Sequence, residues 1–496
     1  MKNHLKNLLI SITFLAVLGM CIFAAVIVLQ RKDSNYKYAD FMEKAGKDQI
    51  DVLFIGSSHV INAMNPAALY GEYGITSYNM GGHGSVMQAT YWELIEALQY
   101  CKPKCVVVDT FLMQKDYQYL DVMYEDSSDE ERQTSIDQLH LNMDVWPLDK
   151  LKIAAVKDLI KDEDIQKEFL FPFIKYHGRW DELDGNDYKA VTGNADRNEL
   201  FGAEMRYGIE LTPGIYPNPE DENGLGGHTV GEEYLRKIID ECQRDGIDVI
   251  VTFLTCSATT DDKRAADSAR IISEEFDVPF VNMQELGVVD LYTDLNDTGH
   301  MNAMGSIKAT KCIGDMLAEG GSIPDHRGDE AYSDWQKKSD AFYGTVYDLA
   351  VSSEKIYQQL NYLSGDYVSS VIYINDESQA LGDNQIQRLI HNFTGTPKIY
   401  HTDGPYIMIN DVASGMVYEA SGTECLDGIS TSLGTVHYQP VEHLFRLFYT
   451  DEDPGYNYLY DDAMIDYDIQ IITYDNESGE VLSHEYYRSY GCDYEK

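Results

Sequence analysis

The sequence predicts an α/β protein: a parallel sheet with helices on both faces, preceded by one membrane-spanning helix and followed by a β-rich α+β domain. Three observations predict it. An uncharged apolar stretch fills residues 8–29. Short, continuous apolar runs then alternate with helix-like patterns up to about residue 325. Beyond that point strand-like segments alternate with turns.

The first stretch is assigned to residues 8–30. Roughly 20 apolar residues at 1.5 Å each span a hydrocarbon core of about 30 Å. Lys2 and Lys6 precede it, and Arg31 and Lys32 follow, with Asp33 directly after them. The basic flanks nearly balance, and a short N-terminus before one span favours residues 1–7 in the cytoplasm and the bulk of the chain outside it. A cleaved signal peptide is the rival. The apolar run exceeds the usual ~7–15 residues of a signal core, and no small-residue cleavage site follows. A lipoprotein reading at Cys21 is disfavoured, because Met20 is bulky and apolar residues continue past the cysteine.

The 496 residues exceed one ordinary domain. Asp and Glu total 83 against 38 Lys and Arg, a net charge of -45. So acidic a chain repels phosphate backbones, and no nucleic-acid partner is expected. The acidity itself reads as solubility and identifies no substrate. None of the 8 cysteines forms a C-x-x-C pair, which disfavours zinc ribbons and thioredoxin-like redox chemistry. No metal or cofactor is expected. Cys425 and Cys492 are the only cysteines in the last third, and sequence leaves a disulfide between them open.

Residues 31–48 read as a polar linker with a short helix. Residues 51–55, 104–109, 247–254 and 278–281 are apolar runs of the kind that form strands buried on both faces. A short strand is expected at 76–79. Residues 86–100, 232–245 and 261–276 carry helical patterns between them. Such alternation implies a parallel sheet whose sites form at the carboxyl ends of strands. This first domain is set at residues 49–325. Residues 112–228, rich in Tyr, Asp and Glu, interrupt the rhythm as an insertion with a helix at 149–160 and a loop at 220–228. It could shape a cleft, dock a partner or decorate the fold. Residues 326–364 form a helical connector, helical over 335–360. Residues 365–496 form the last domain, with strands at 367–375, 406–410, 415–419, 444–450 and 465–474 and a helix at 385–393.

Three local patterns carry chemistry. Gly56, Ser57, Ser58 and His59 follow the first strand directly, where a small residue lets the chain turn sharply and lift Ser58 to the sheet edge. Asn79, Gly81 and Gly84 form a glycine-rich turn after the 76–79 strand, and glycine permits close backbone approach to a ligand. Asp297 and His300 stand three apart in a turn before a helix, so the carboxylate can fix the imidazole tautomer while His300 acts as general base. Asp294, Asn296, Thr298 and Gly299 mimic the first half of an EF-hand loop. The twelfth position is Gly305 rather than Glu, which disfavours calcium.

Together these blocks resemble the SGNH, or GDSL-like, hydrolase superfamily over roughly residues 48–322, the insertion unmatched. The resemblance implies a flavodoxin-like three-layer domain. It also implies Ser58 as nucleophile and one oxyanion donor, Gly81 as the second donor, His300 as base and Asp297 as its orienter. His59, Asn79 and His83 become candidates to contact substrate. Two positions depart from the family pattern. Ser57 replaces the Asp of G-D-S, and the third block, Asp109-Thr110-Phe111, lacks the oxyanion Asn. The departure is similar to the membrane-anchored branch that transfers acyl groups on envelope polymers, such as alginate acetylation proteins and the D-alanylation protein of lipoteichoic acid. That branch implies cell-surface polysaccharide or another acylated glycan as substrate, and a membrane-bound O-acyltransferase as partner.

The last domain resembles the interleukin-like EMT inducer (ILEI) family through residues 367–380, 406–419 and 467–481, which implies carbohydrate binding. The expected function is a serine esterase or O-acyltransferase on the outer side of the membrane. The alternative is a non-catalytic glycan-binding or assembly protein that retains the fold.

Overall fold

The computed structural model describes residues 2–30, 37–194, 196–209, 215–216, 224–440, 444–448, 455–459, 467–490 and 493–496. Five strands, β1 (Val52–Ile55), β2 (Ser77–Asn79), β3 (Cys105–Asp109), β4 (Asp248–Phe253) and β5 (Phe280–Asn282), form one parallel sheet in the order β2-β1-β3-β4-β5. β1 and most of β3 and β4 are apolar because both faces are covered: all four residues of β1 are wholly buried. β1 leads to β2 on one side of the sheet, and β3 leads to β4 on the other. Such a reversal opens a crevice beyond the carboxyl ends of the two middle strands. The turns after β1 and β3 flank it.

The helices follow in chain order. α1 (Lys2–Leu29) is long and apolar enough to cross a membrane or to serve as a signal sequence, with a mean hydropathy of 2.9 over its best window. α2 (Lys37–Ala45), α3 (Ser58–Ala63), α4 (Pro66–Tyr73) and α5 (Met87–Leu98) accompany the first strands. The insertion supplies α6 (Asp129–Met143), α7 (Lys150–Leu159), α8 (Glu163–Leu170), α9 (Phe173–Tyr176) and α10 (Gly185–Ala190). α11 (Val230–Arg244), α12 (Thr260–Phe276) and α13 (Ala303–Gly320) complete the alternation. In α11 the buried positions Leu235, Ile238, Ile239 and Cys242 recur at helical spacing, and Thr229 with Glu232 forms a capping box at its start. Its stripe joins Leu53, Ile55, Val106, Val108, Val249 and Val251 of the sheet in one core.

The insertion builds a core of its own. Ile136, Leu139 and Met143 of α6, Val156 and Leu159 of α7, and Phe169 of α8 pack together with Val86 and Ala89 at the start of α5. Asp144 ties it together: its carboxylate meets the buried His140 ring at 2.8 Å and accepts from Tyr176 Oη at 2.6 Å. The last turns of α1 pack against α9 and α10. Arg179 Nη1 donates to the Leu29 and Gln30 carbonyls, each at 3.2 Å, and satisfies helix-end acceptors that lack a partner within α1.

The chain divides into two compact units, which interleave in sequence. One comprises Met1–Met205, Ile215–Val288 and Ala309–Lys338; the other comprises Arg206–Gly214, Val289–Lys308 and Ser339–Lys496. The block around Asp297 and His300 therefore groups with the C-terminal part of the chain.

In the second unit, α14 (Ser333–Val351), which begins in the first, and α15 (Ile356–Leu363) replace the single helix expected over 335–360. Ser352 and Ser353 break it. Ser353 Oγ accepts from the Lys355 backbone N–H at 3.2 Å, the local competition by which serine ends a helix. α16 (Asn384–Thr394) follows β6 (Ser369–Ile374). The remaining strands are β7 (Tyr406–Asp411), β8 (Met416–Ser421), β9 (Leu426–Thr431), β10 (Gly434–Gln439), β11 (Leu444–Phe448), β12 (Tyr456–Asn457), β13 (Ile469–Tyr474), β14 (Val481–Tyr490) and β15 (Asp493–Glu495). They form two antiparallel sheets, β15-β14-β13-β6-β7-β8 and β12-β11-β10-β9. Val371, Ile407, Ile409 and Ile472 of the first meet Val436, Tyr438, Phe445 and Leu447 of the second in a shared core. Cys425 is an exposed free thiol, and Cys492 lies outside the described residues, as do 31–36 of the expected linker, 220–223 of the expected loop, and 449–450 and 465–466 of the expected strands.

Candidate active site

The chain turns off β1 at Gly56, whose φ is +146°. A Cβ there would stand 2.7 Å from Val60 Cγ2 and 3.1 Å from Asp109 Cβ, so only glycine fits. Ser57 caps α3, its Oγ accepting from the His59 backbone N–H at 3.2 Å. Ser58 opens the helix. It is half-buried, whereas residues 52–57 and 59–60 are buried. The turn therefore presents the one hydroxyl that sequence singles out.

The glycine-rich block lies beside it. Met80 N–H donates to the Phe54 carbonyl and Gly82 N–H to that of Gly56, each at 2.8 Å, continuing the β1–β2 ladder into the turn. Asn79 is wholly buried. Its Nδ2 donates to the Val60 and Met64 carbonyls, both at 2.7 Å, and its Oδ1 accepts the Gly81 N–H at 3.0 Å. Asn79 thus holds α3 against the turn, and its side chain is spent on that scaffold rather than turned outward. The N–H of Gly81, expected to meet an oxyanion, is directed at Asn79. The Gly81 carbonyl accepts from Lys37 Nζ. A Cβ on Gly81 would come within 2.9 Å of the Ser57 carbonyl oxygen, so the two blocks touch backbone to backbone.

His59 is buried and stacks on Phe111 with ring centroids 3.5 Å apart and planes 14° from parallel. Phe111 stands where the resemblance places an Asn, and the pair packs the floor between the β1 and β3 turns. Asp109 is wholly buried below it and bridges the ends of β3 and β4. Its Oδ1 accepts from Leu254 N–H at 3.0 Å and its Oδ2 from Phe111 N–H at 3.3 Å. Burial pushes its carboxyl up to about 7 against these bonds.

The insertion contributes residues that sequence reading missed. Asn142 of α6 grips the glycine-rich block: its Oδ1 accepts from His83 N–H at 2.9 Å, and its Nδ2 donates to the His83 carbonyl and to Ser85 Oγ, each at 3.0 Å. Ser85 Oγ donates in turn to Glu93 at 2.8 Å, a fully buried carboxyl that burial pushes up to about 8. Glu204 lies against α3, its N–H on the Ile61 carbonyl at 3.0 Å, with its carboxylate 3.8 Å from His83 Nε2. The His83 ring is partly exposed and keeps its candidacy for ligand contact.

Asp297 and His300 are brought together in the second unit. A short antiparallel bridge, Leu295 to Met301, closes the turn around them. Asp297 Oδ1 accepts from Gly299 N–H and His300 N–H, both at 3.0 Å, and meets His300 Nδ1 at 2.7 Å. Arg206, again from the insertion, donates through Nη1 to Asp297 Oδ2 at 2.6 Å. The Arg206 carbonyl accepts the Ala303 N–H at 2.8 Å, which fixes the arginine to the start of α13. Burial works to raise the Asp297 carboxyl, but the Gly299 N–H, His300 and Arg206 outweigh it and hold it below the usual carboxylate range. An ionised Asp297 keeps the proton on Nδ1 and leaves Nε2 as the basic nitrogen. Asp290 Oδ2, 2.6 Å from Arg388 Nη2, ties the same turn to α16.

Ser58, His59, Asn79, Gly81 and His83 belong to the first unit, Asp297 and His300 to the second. Among the described residues, no group of three or more His, Cys, Asp or Glu side chains could hold a metal ion. A cavity of about 330 Å³ borders Cys105, Asp248 and Pro279, at the amino ends of β3 and β4, the sheet edge opposite Ser58. Long-range partners such as Arg206 and Asn142 leave no spacing signal in the sequence. No protein-family model matches the chain, and no curated protein matches it either.

Proposed function

We propose that the protein is an extracytoplasmic serine esterase or O-acyltransferase of SGNH type, acting on acylated cell-surface carbohydrate. The observation that carries this reading is the bond from His300 Nδ1 to an Asp297 carboxylate that the Gly299 N–H, His300 and Arg206 together hold ionised. It is the arrangement a general-base histidine needs. The half-buried Ser58 on its sharp turn and the sheet order β2-β1-β3-β4-β5, that of flavodoxin-like sheets, support it further.

In the proposed reaction Ser58 Oγ attacks the acyl carbonyl while His300 Nε2 takes its proton. The acyl–oxygen bond to the sugar breaks as that proton passes to the leaving hydroxyl. Water or a second sugar hydroxyl then opens the Ser58 ester, and the first outcome is hydrolysis, the second transfer. α1 anchors the chain with residues 1–7 in the cytoplasm, a membrane-bound O-acyltransferase is the expected partner, and the C-terminal sheets act as an ILEI-like glycan-binding module.

A second reading, a non-catalytic glycan-binding protein, is favoured by one observation: Phe111 stands at the third block and Asn79 engages the Gly81 N–H, which leaves few oxyanion donors. Treating the full-length protein with a fluorophosphonate probe separates the two. The enzyme reading expects labelling that Ser58→Ala abolishes and His300→Ala slows by about 10²-fold or more. Labelling that survives Ser58→Ala, or a wild-type chain that is never labelled, overturns it, and the latter favours the binding protein.

A further inference from the structure

The helical insertion carries an exposed apolar cluster beside the exit of α1. Trp180 is 61% exposed, Tyr188 58%, Phe171 56%, Ile174 47% and Phe173 42%. These residues sit on or next to α9, α10 and the turn between them, the elements against which the end of α1 packs. Trp180 directly follows Arg179, whose guanidinium caps the α1 carbonyls and pairs with Asp187 of α10 at 3.1 Å. These bonds fix the turn that bears Trp180 at the level of the end of α1.

That level can be placed. Residues 4–23 of α1 are exposed, and from residue 24 onward the helix is partly covered by the protein. Lys6 bounds the apolar run, so hydrocarbon takes up the helix from residue 8. A core of about 30 Å needs roughly 20 residues at 1.5 Å each. Counted from residue 8, its outer boundary falls at the last turns of α1, where α9 and α10 grip the helix. Aromatic side chains that are apolar at one end and polar at the other favour that depth.

We infer that the α9–α10 face of the insertion lies in the lipid headgroup layer, with Trp180, Tyr188, Phe171 and Phe173 as an interfacial belt beside α1. The inference rests on reading α1 as a membrane anchor. Its chemistry is apolar insertion rather than charge attraction. The chain carries a net charge of -45, and the cations of this face, Lys175, Arg179 and Lys189, pair with Asp137, Asp187 and Asp196. Zwitterionic lipid is thus the expected surface.

The test reconstitutes the full-length protein, at low density, into phosphatidylcholine vesicles whose acyl chains carry bromine near the headgroup end. Flotation reports insertion and tryptophan emission reports contact. Trp146 and Trp335 are buried and Trp92 is half-buried with its Nε1 donating to Asp158, which makes Trp180 the exposed reporter. The expected result is emission loss in brominated relative to plain vesicles, and disappearance of that loss in Trp180→Phe. A protein that floats with the vesicles while its Trp180 emission is unchanged by bromine overturns the belt and leaves the anchor standing. A protein that does not float overturns the anchor, and the belt with it.

Discussion

Arg206 Nη1 meets Asp297 on Oδ2, the carboxylate oxygen opposite the one that holds the His300 ring. The guanidinium thus acts on the histidine through the aspartate. Arg206→Ala should slow fluorophosphonate labelling of Ser58 roughly tenfold, by analogy with the partners that orient metal-bound histidines. Arg206→Lys should restore part of it. Arg206 helps hold the Asp297 carboxyl low, so its loss raises that carboxyl toward the ordinary range. Removing the guanidinium also takes a positive charge away from the Asp297–His300 pair and favours its protonation, so the acid limb of the pH–rate profile should move to higher pH in Arg206→Ala. A purely structural role would lower the rate without moving that limb.

Gly56 has no room for a side chain. Gly56→Ala must either leave its φ of +146° or push Val60 and Asp109 aside. A strained backbone position of this kind costs about 1–3 kcal/mol before any clash is counted. Thermal denaturation should show the loss, and the fraction that remains folded should label poorly because Ser58 is displaced.

Asn79 holds three backbone groups at once, the carbonyls of Val60 and Met64 and the N–H of Gly81. Asn79→Ala strands each of them in a buried place, at about 1–3 kcal/mol for a buried group left without its partner. Urea denaturation should report a drop larger than that of an exposed Asn→Ala, such as Asn194→Ala on the surface of the insertion.

Glu93 supplies a pH dependence whose sign follows from burial. Its carboxyl is pushed from the ordinary 4.5 up to about 8 in the folded protein. Between those values the folded state keeps a proton that the unfolded state has released. The stabilisation is therefore complete below about pH 4.5 and is lost as pH rises toward 8. A one-proton difference changes stability by up to about 1.4 kcal/mol per pH unit. Glu93→Gln should flatten the fall in stability measured by chemical denaturation across that window, leaving the share due to Asp109, Asp40 and Glu96, whose carboxyls burial also pushes up.

Much of this architecture was legible in the sequence. Four strands of the parallel sheet, β1, β3, β4 and β5, announce themselves as apolar runs because burial on both faces favours apolar side chains. Ser58 and the Asp297–His300 pair were legible because each lies in a short local pattern. The strands β9, β10 and β14 were not, since most of their positions are exposed or half-buried and carry residues such as Ser, His, Glu and Arg, with few buried apolar residues to mark them. The break at Ser352 was masked by helical residues on both sides. Arg206, Asn142 and Glu204 act across the fold from within an insertion whose own periodicity concerns only its private core. Asn79 was legible only in part: a polar residue in a glycine-rich turn suggests a ligand, and the structure adds that the Val60 and Met64 carbonyls claim its amide.

The grip of α9, α10 and Arg179 on the last turns of α1 has a mechanical corollary. A body joined to a helix by a slack tether can sweep a wide volume; one clasped by its own fold cannot. The same unit that seizes the helix also bears Ser58, so the distance from that hydroxyl to the apolar shaft is set by rigid packing. Under the proposed reaction, an acylated polymer must be delivered to a fixed altitude, and lengthening the chain elsewhere would not extend the reach of Ser58.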